Sequence, residues 1–105
     1  YGLEFSLNKL KLSNNKLVSI DFDLGLLINL VELDLNKDEL KQIKKESFEN
    51  LVKLEILLLN SNYIFDIEQD AFSNLISLKT VNLDKNEIKK CNQNMFLNSL
   101  NLTII

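Results

Sequence analysis

Leu54, Leu57, Leu59, Asn62 and Ile64 stand at intervals of three, two, three and two, and this spacing returns along the whole chain. It recurs one unit later at Leu78, Val81, Leu83, Asn86 and Ile88, and one unit earlier at Leu30, Leu33, Leu35, Asp38 and Leu40. A further copy, Leu7, Leu10, Leu12, Asn15 and Leu17, comes before that with its unit one position shorter, and Leu102 and Ile105 begin a fifth. The second half of each unit repeats too: Ile43, Phe48 and Leu51 match Ile67, Phe72 and Leu75. The first unit offers Ile20, Leu24 and Leu27; the fourth offers Cys91 and Phe96, with Ser99 in the leucine place and Leu100 one position late. A fixed period of about 24 residues is the signature of stacked supersecondary units.

The spacing carries its own physics. In each Leu-x-Leu the two leucines share one face of a short strand, because side chains alternate with period two. A single turn of this length cannot bury its own apolar side chains. Neighbouring turns must therefore stack and share a core, with strands near 9–12, 32–35, 56–59 and 80–83 pairing in parallel. A right-handed crossover is expected between them. An Asn at the ninth place has two donors and an acceptor. Stacked along the array, Asn15, Asn62 and Asn86 would satisfy backbone groups where the chain leaves the strand. Asp38, if ionised, only accepts, so that link should be weak. Phe48, Phe72 and Phe96 would fill the far side of the coil. The remaining residues leave room for a short 3₁₀ turn around 46–50 and 70–74, within a mostly irregular outer face.

The pattern LxxLxLxxNxL, an apolar residue, then FxxLxx resembles the leucine-rich repeat family in its 24-residue extracellular form. The segment IEQDAFSNLISL, Ile67 to Leu78, is especially similar to repeats of secreted and cell-surface members. The resemblance implies an α/β leucine-rich repeat solenoid, a right-handed horseshoe with short parallel strands on the concave face and an irregular or 3₁₀ convex face. It makes 1–105 one array, with units at about 7–29, 30–53, 54–77 and 78–101 and partial units at 1–6 and 102–105. Both ends read as interrupted turns without a cysteine-rich cap, so a fragment of a longer solenoid is expected. Departures from the family pattern are Asp38 for Asn, Leu24 for Phe, Ser99 for Leu, and no proline after Ile20, Ile43, Ile67 or Cys91.

Composition removes several functions. With 46% hydrophobic residues among 105, a core is feasible. The net charge of -3 argues against a nucleic-acid partner, because phosphate neutralisation needs concentrated Lys and Arg. There is no His, hence neither the commonest general base nor the commonest metal ligand. No carboxylate pair, glycine-rich phosphate loop or histidine-partnered nucleophile is visible, so no catalytic residue, metal site or cofactor is assigned and an enzyme is not expected. No apolar run approaches the roughly 20 residues of a membrane span, and no charged leader with an apolar segment is seen. Cys91 shares the column of Ile20, Ile43 and Ile67 and reads as a buried apolar residue.

The repeat register also isolates a candidate surface. Ile56 and Leu58 fall on outward positions, where other units carry Lys9 and Lys11, Glu32 and Asp34, or Thr80 and Asn82. The third unit alone presents a greasy pair among polar neighbours. As a binding site its centre is Ile56, Leu58 and the nearby Tyr63, with Asn60, Glu32, Asp34, Asn36, Thr80, Asn82 and Asp84 around them. The competing reading is incidental surface hydrophobicity, or burial by a loop or a second chain. Asn101-Leu102-Thr103 is a glycosylation sequon, used if the chain passes a secretory pathway.

The family resemblance implies recognition of a protein or extracellular ligand by the concave face of a secreted or cell-surface glycoprotein. Toll-like receptors, secreted insect immune proteins and neuronal adhesion receptors carry similar repeats, which points to innate immunity or a receptor ectodomain, with dimerisation possible. The alternatives are an intracellular, cytoplasmic scaffold or regulatory module and a structural spacer.

Overall fold

The computed structural model describes residues 7–20, 24, 27–89 and 103–105. Its strands are short: β1 (Lys9–Lys11), β2 (Glu32–Asp34), β3 (Gln42–Ile43), β4 (Ile56–Leu58), β5 (Asp66–Ile67), β6 (Thr80–Asn82) and β7 (Thr103–Ile104). Strands β1, β2, β4, β6 and β7 form one parallel sheet in that order, and β3 pairs with β5 in a second, two-stranded sheet. The register follows the repeat: Leu10 faces Leu33, Leu33 faces Leu57, and Leu57 faces Val81. Successive turns are thus stacked without slip. A one-residue slip would carry every leucine to solvent, a cost that specifies the register. The carbonyls of Asn8, Val31 and Glu55 each accept two N–H groups from the following turn, which fixes the entry to β2, β4 and β6 alike.

The core is the sum of the inward columns. Leu30, Leu33, Leu35 and Leu40 and their counterparts Leu54, Leu57, Leu59 and Ile64 are fully buried. Phe48 and Phe72 close the far side, their rings stacked with centroids 6.2 Å apart and planes 12° from parallel. From the Phe position the chain returns to the strand in three-residue steps. Leu51 N–H donates to Phe48 O and Leu54 N–H to Leu51 O; Leu75 and Leu78 repeat this one turn on, and Leu27 and Leu30 one turn before, from Leu24. Three residues per turn is the 3₁₀ period, so FxxLxxL points every apolar residue inward. Leu24, in the Phe column, is buried. Among the described residues the helical part of the fold is one 3₁₀ turn, Lys45–Ser47; the matching stretch at 69–74 forms hydrogen-bonded turns.

The amide ladder forms at Asn62 and Asn86, whereas the side-chain amide of the exposed Asn15 in the first turn bonds, among the described residues, only Ser13 O, at 3.2 Å. Asn62 Oδ1 accepts the N–H of Leu40, and its Nδ2 donates to the carbonyls of Leu35, Leu59 and Asn60 at 3.0, 3.0 and 3.3 Å. Asn86 repeats the arrangement one turn on, with Ile64 N–H and the carbonyls of Leu59, Leu83 and Asp84. Asp38 performs only the accepting half: its Oδ1 takes the N–H groups of Asn15 and Leu17 at 2.8 and 3.1 Å. Its Oδ2 is buried without a partner. The weak link expected of Asp38 is therefore present. Tyr1, Cys91, Phe96, Ser99, Leu100 and Asn101 lie outside the described residues.

One backbone feature repeats without a sequence signature. Asn14, Lys37, Ser61 and Lys85, the residue before the ladder position in each turn, all adopt positive φ, between 56 and 61°. The N–H groups of Asn14, Lys37 and Ser61 bond the carbonyls of Asn36, Asn60 and Asp84 on the next turn. Left-handed backbone costs a lysine or serine about 1–2 kcal/mol, which stacking must offset at every turn.

Candidate functional site: the outward face of the sheet

Alternation places Glu32 and Asp34, Ile56 and Leu58, and Thr80 and Asn82 outward on β2, β4 and β6, with Leu33, Leu57 and Val81 buried between them. Strand pairing sets Ile56 between Glu32 and Thr80, and Leu58 between Asp34 and Asn82. Neighbouring strands run about 4.8 Å apart, so these six side chains form one continuous patch. Each of them is half-buried, held upright by its neighbours. Lys9 and Lys11 extend the same rows onto β1, opposite Glu32 and Asp34. Across the sheet the face therefore runs basic, acidic, apolar, then neutral polar.

Asn36, Asn60 and Asp84 stand just beyond the strand ends, and two of them are held by the outward row. Asp34 Oδ1 accepts the backbone N–H of Asn36 at 3.0 Å and a short contact from its side-chain amide. Asn82 Oδ1 likewise accepts the N–H of Asp84 at 3.0 Å. Leu58 occupies the equivalent place in the third turn and offers no acceptor. The third turn forgoes a side-chain bond of about 1 kcal/mol in exchange for an apolar surface group.

Tyr63 lies beyond the end of β4 and so outside the two outward rows. The chain turns at Ser61, buries Asn62, and carries Tyr63 into the next segment, where its N–H bonds Leu40 O. Tyr63 and Phe65 are 52% and 53% exposed. The sequence reading missed Phe65 and its column, Val18, Lys41, Phe65 and Lys89, although aligning the units on their Leu-x-x-Leu-x-Leu positions would have displayed it. Among the described residues no cluster of His, Cys, Asp or Glu could hold a metal, and no helix is long and apolar enough to cross a membrane.

Comparison with known proteins agrees with this geometry. The family model described as leucine rich repeat matches residues 5–64 and 52–105. The chain belongs to the leucine-rich repeat family. No curated protein matches it significantly. Among solved structures it is similar to a chain of the TLR13–ssRNA13 complex, with TM-score 0.89 and 27% identity over 95% of this chain and 14% of that one. It is similar also to a chain of the Toll–Spatzle complex of Drosophila in its glycosylated form, with TM-score 0.84 and 27% identity over 93% of this chain and 15% of that one. A second structure of the Toll–Spatzle complex gives TM-score 0.78 at 28% identity, over 96% of this chain and 16% of that one. The chain thus spans about one-seventh of the length of these relatives. One of them is a complex with ssRNA, so the composition argument against nucleic acid finds no support in these relatives.

Proposed function

We propose that this chain is part of an extracellular recognition module, of innate immune or cell-surface receptor type, that binds a protein or other extracellular ligand through the outward face of its sheet. The observation carrying the reading is the Ile56–Leu58 pair, apolar on a face whose neighbouring strands are charged or polar at both positions. A contact with an apolar centre and polar rim is the usual anatomy of a protein interface. The Toll and TLR13 relatives, both solved as complexes, support the recognition role and favour an ectodomain. On this reading the sequon Asn101-Leu102-Thr103 would carry a glycan.

The test uses the chain as an immobilised bait against secreted material of its source, beside the Ile56→Ser/Leu58→Ser variant. The wild type should capture a partner, and the double variant should lose at least tenfold in affinity, about 1.4 kcal/mol. Its denaturant midpoint should move by less than about 1 kcal/mol, because no core cavity forms. Glu32→Gln, at the rim, should alter mainly the association rate and its salt dependence. Equal capture by a folded double variant would refute the sheet face as the site. Secretion from insect cells, with a glycosidase-sensitive mass shift abolished by Asn101→Gln, tests the extracellular assignment; absence of the shift in secreted protein would remove the glycan.

A further inference from the structure

A groove of about 460 Å³ opens on the flank of the first three turns, away from the sheet face. Val18 and Ile20 of the first turn and Phe65 of the third form its apolar walls, and Lys41, Gln42, Lys44 and Ser47 of the second, with Ser19, supply its polar groups. Val18 and Phe65 stand on either side of Lys41 in one column, two strand spacings or about 10 Å apart. Phe65 N–H bonds Lys41 O, and β3 pairs with β5 just beyond, so wall and floor are tied by backbone.

The chemistry of the groove differs from that of the chain as a whole. Net charge is -3, yet among the described residues both charged side chains that line the groove are lysines. Neither has an ion-pair partner among the described residues. Ser47 Oγ accepts the N–H of Lys44 at 3.3 Å, which leaves its own proton to donate. Val18 is 54% and Phe65 53% exposed, which sets two large apolar groups within reach of one cleft. Two ammonium groups and a hydroxyl donor between apolar rims match a carboxylate carried among apolar side chains. The volume falls within the usual range for ligand sites.

We propose that this flank groove docks an acidic segment of a partner protein, one glutamate or aspartate entering between Lys41 and Lys44 while adjoining apolar residues lie on Phe65 and Val18. The site is separate from the sheet face and does not depend on it. Only two lysines contribute, too few to follow a polyphosphate backbone, and this favours a peptide over a nucleic acid.

The test is an NMR titration of the ¹⁵N-labelled chain with a blocked decapeptide that sets two glutamates between leucine and phenylalanine. The control peptide has glutamine for glutamate, and a mixed-sequence single-stranded RNA is the third probe. The acidic peptide should shift the amides of Val18, Lys41, Lys44 and Phe65, and its affinity should fall at least tenfold in Lys41→Ala/Lys44→Ala and several-fold in high salt. Phe65→Ser should weaken binding without loss of fold, as judged by an unchanged spectrum elsewhere. Ile56→Ser/Leu58→Ser should leave peptide binding intact, which separates this site from the sheet face. Equal binding of the glutamine peptide, shifts confined to other residues, or tighter binding of RNA at the groove would each overturn the proposal.

Discussion

Replacing Asp38 by asparagine should stabilise the array, and the structure gives the size of the effect. In the turns built on Asn62 and Asn86 the side-chain amide bridges three carbonyls. By the repeat register the carbonyls facing Asp38 Oδ2 are those of Leu12, Leu35 and Asn36. Oδ2 is buried without a donor among them. Relieving a buried unsatisfied acceptor and adding new N–H···O bonds is worth about 2–3 kcal/mol, since Leu35 O is already shared with Asn62. Against this, if Asp38 is ionised, the two bonds that Oδ1 accepts from Asn15 and Leu17 are charge-assisted, and their neutral replacements are weaker by about 1–2 kcal/mol in total. The net expectation is about 1 kcal/mol, equivalent to a melting-temperature rise of about 4–8 °C for a domain of this size. Urea unfolding of both proteins measures it directly: the midpoint should rise while the slope stays constant. An unchanged or lower midpoint would mean that Asp38 has a partner of its own, such as Lys37 or Lys41, and that the ladder is not interrupted there.

The converse substitution, Asn62→Asp, should cost about 1–3 kcal/mol by urea midpoint, because it creates the same orphan oxygen in a turn that now has none. Phe72→Ala should cost about 3–5 kcal/mol, since it empties the stacked aromatic column; a loss below about 1 kcal/mol would show that the ring is not core. Lys37→Gly, at φ 56°, should gain up to about 1 kcal/mol by removing left-handed strain, partly offset by glycine's extra chain entropy. A loss on thermal unfolding would place the strain elsewhere.

The strands and core were legible because their determinants are local and repeated. Leu-x-x-Leu-x-Leu demands period-two burial, and β1, β2, β4 and β6 each lie within one residue of their expected ends, whereas the second sheet of β3 and β5 was not expected. The Asn ladder and its flaw at Asp38 were legible for the same reason: one side chain must serve two turns, and a carboxylate cannot donate. The left-handed turns at Asn14, Lys37, Ser61 and Lys85 were not, because varied residue types occupy one conformation imposed by stacking. The capping role of Asp34 and Asn82 was hidden behind their candidacy as surface residues. Glu46 to Asn50 and Asp70 to Asn74 looked equivalent, yet a 3₁₀ turn forms only at Lys45–Ser47, overlapping the start of the first, while the second holds only hydrogen-bonded turns. The flank groove needs residues from three turns at once, Val18, Lys44 and Phe65, at variable places of the repeat where no consensus draws attention.

Both the core and the proposed sheet-face site depend on the register of the third turn, and thiol accessibility tests it residue by residue. Ile56→Cys, Leu57→Cys and Leu58→Cys are prepared singly, and each native protein is labelled with a maleimide reagent; the wild-type chain, with Cys91 alone, sets the background. The structure predicts ready labelling at 56 and 58 and protection at 57 until denaturant unfolds the protein. Protection at all three would make Ile56 and Leu58 a second core, and labelling at 57 would mean the strand is turned over; either result contradicts the account.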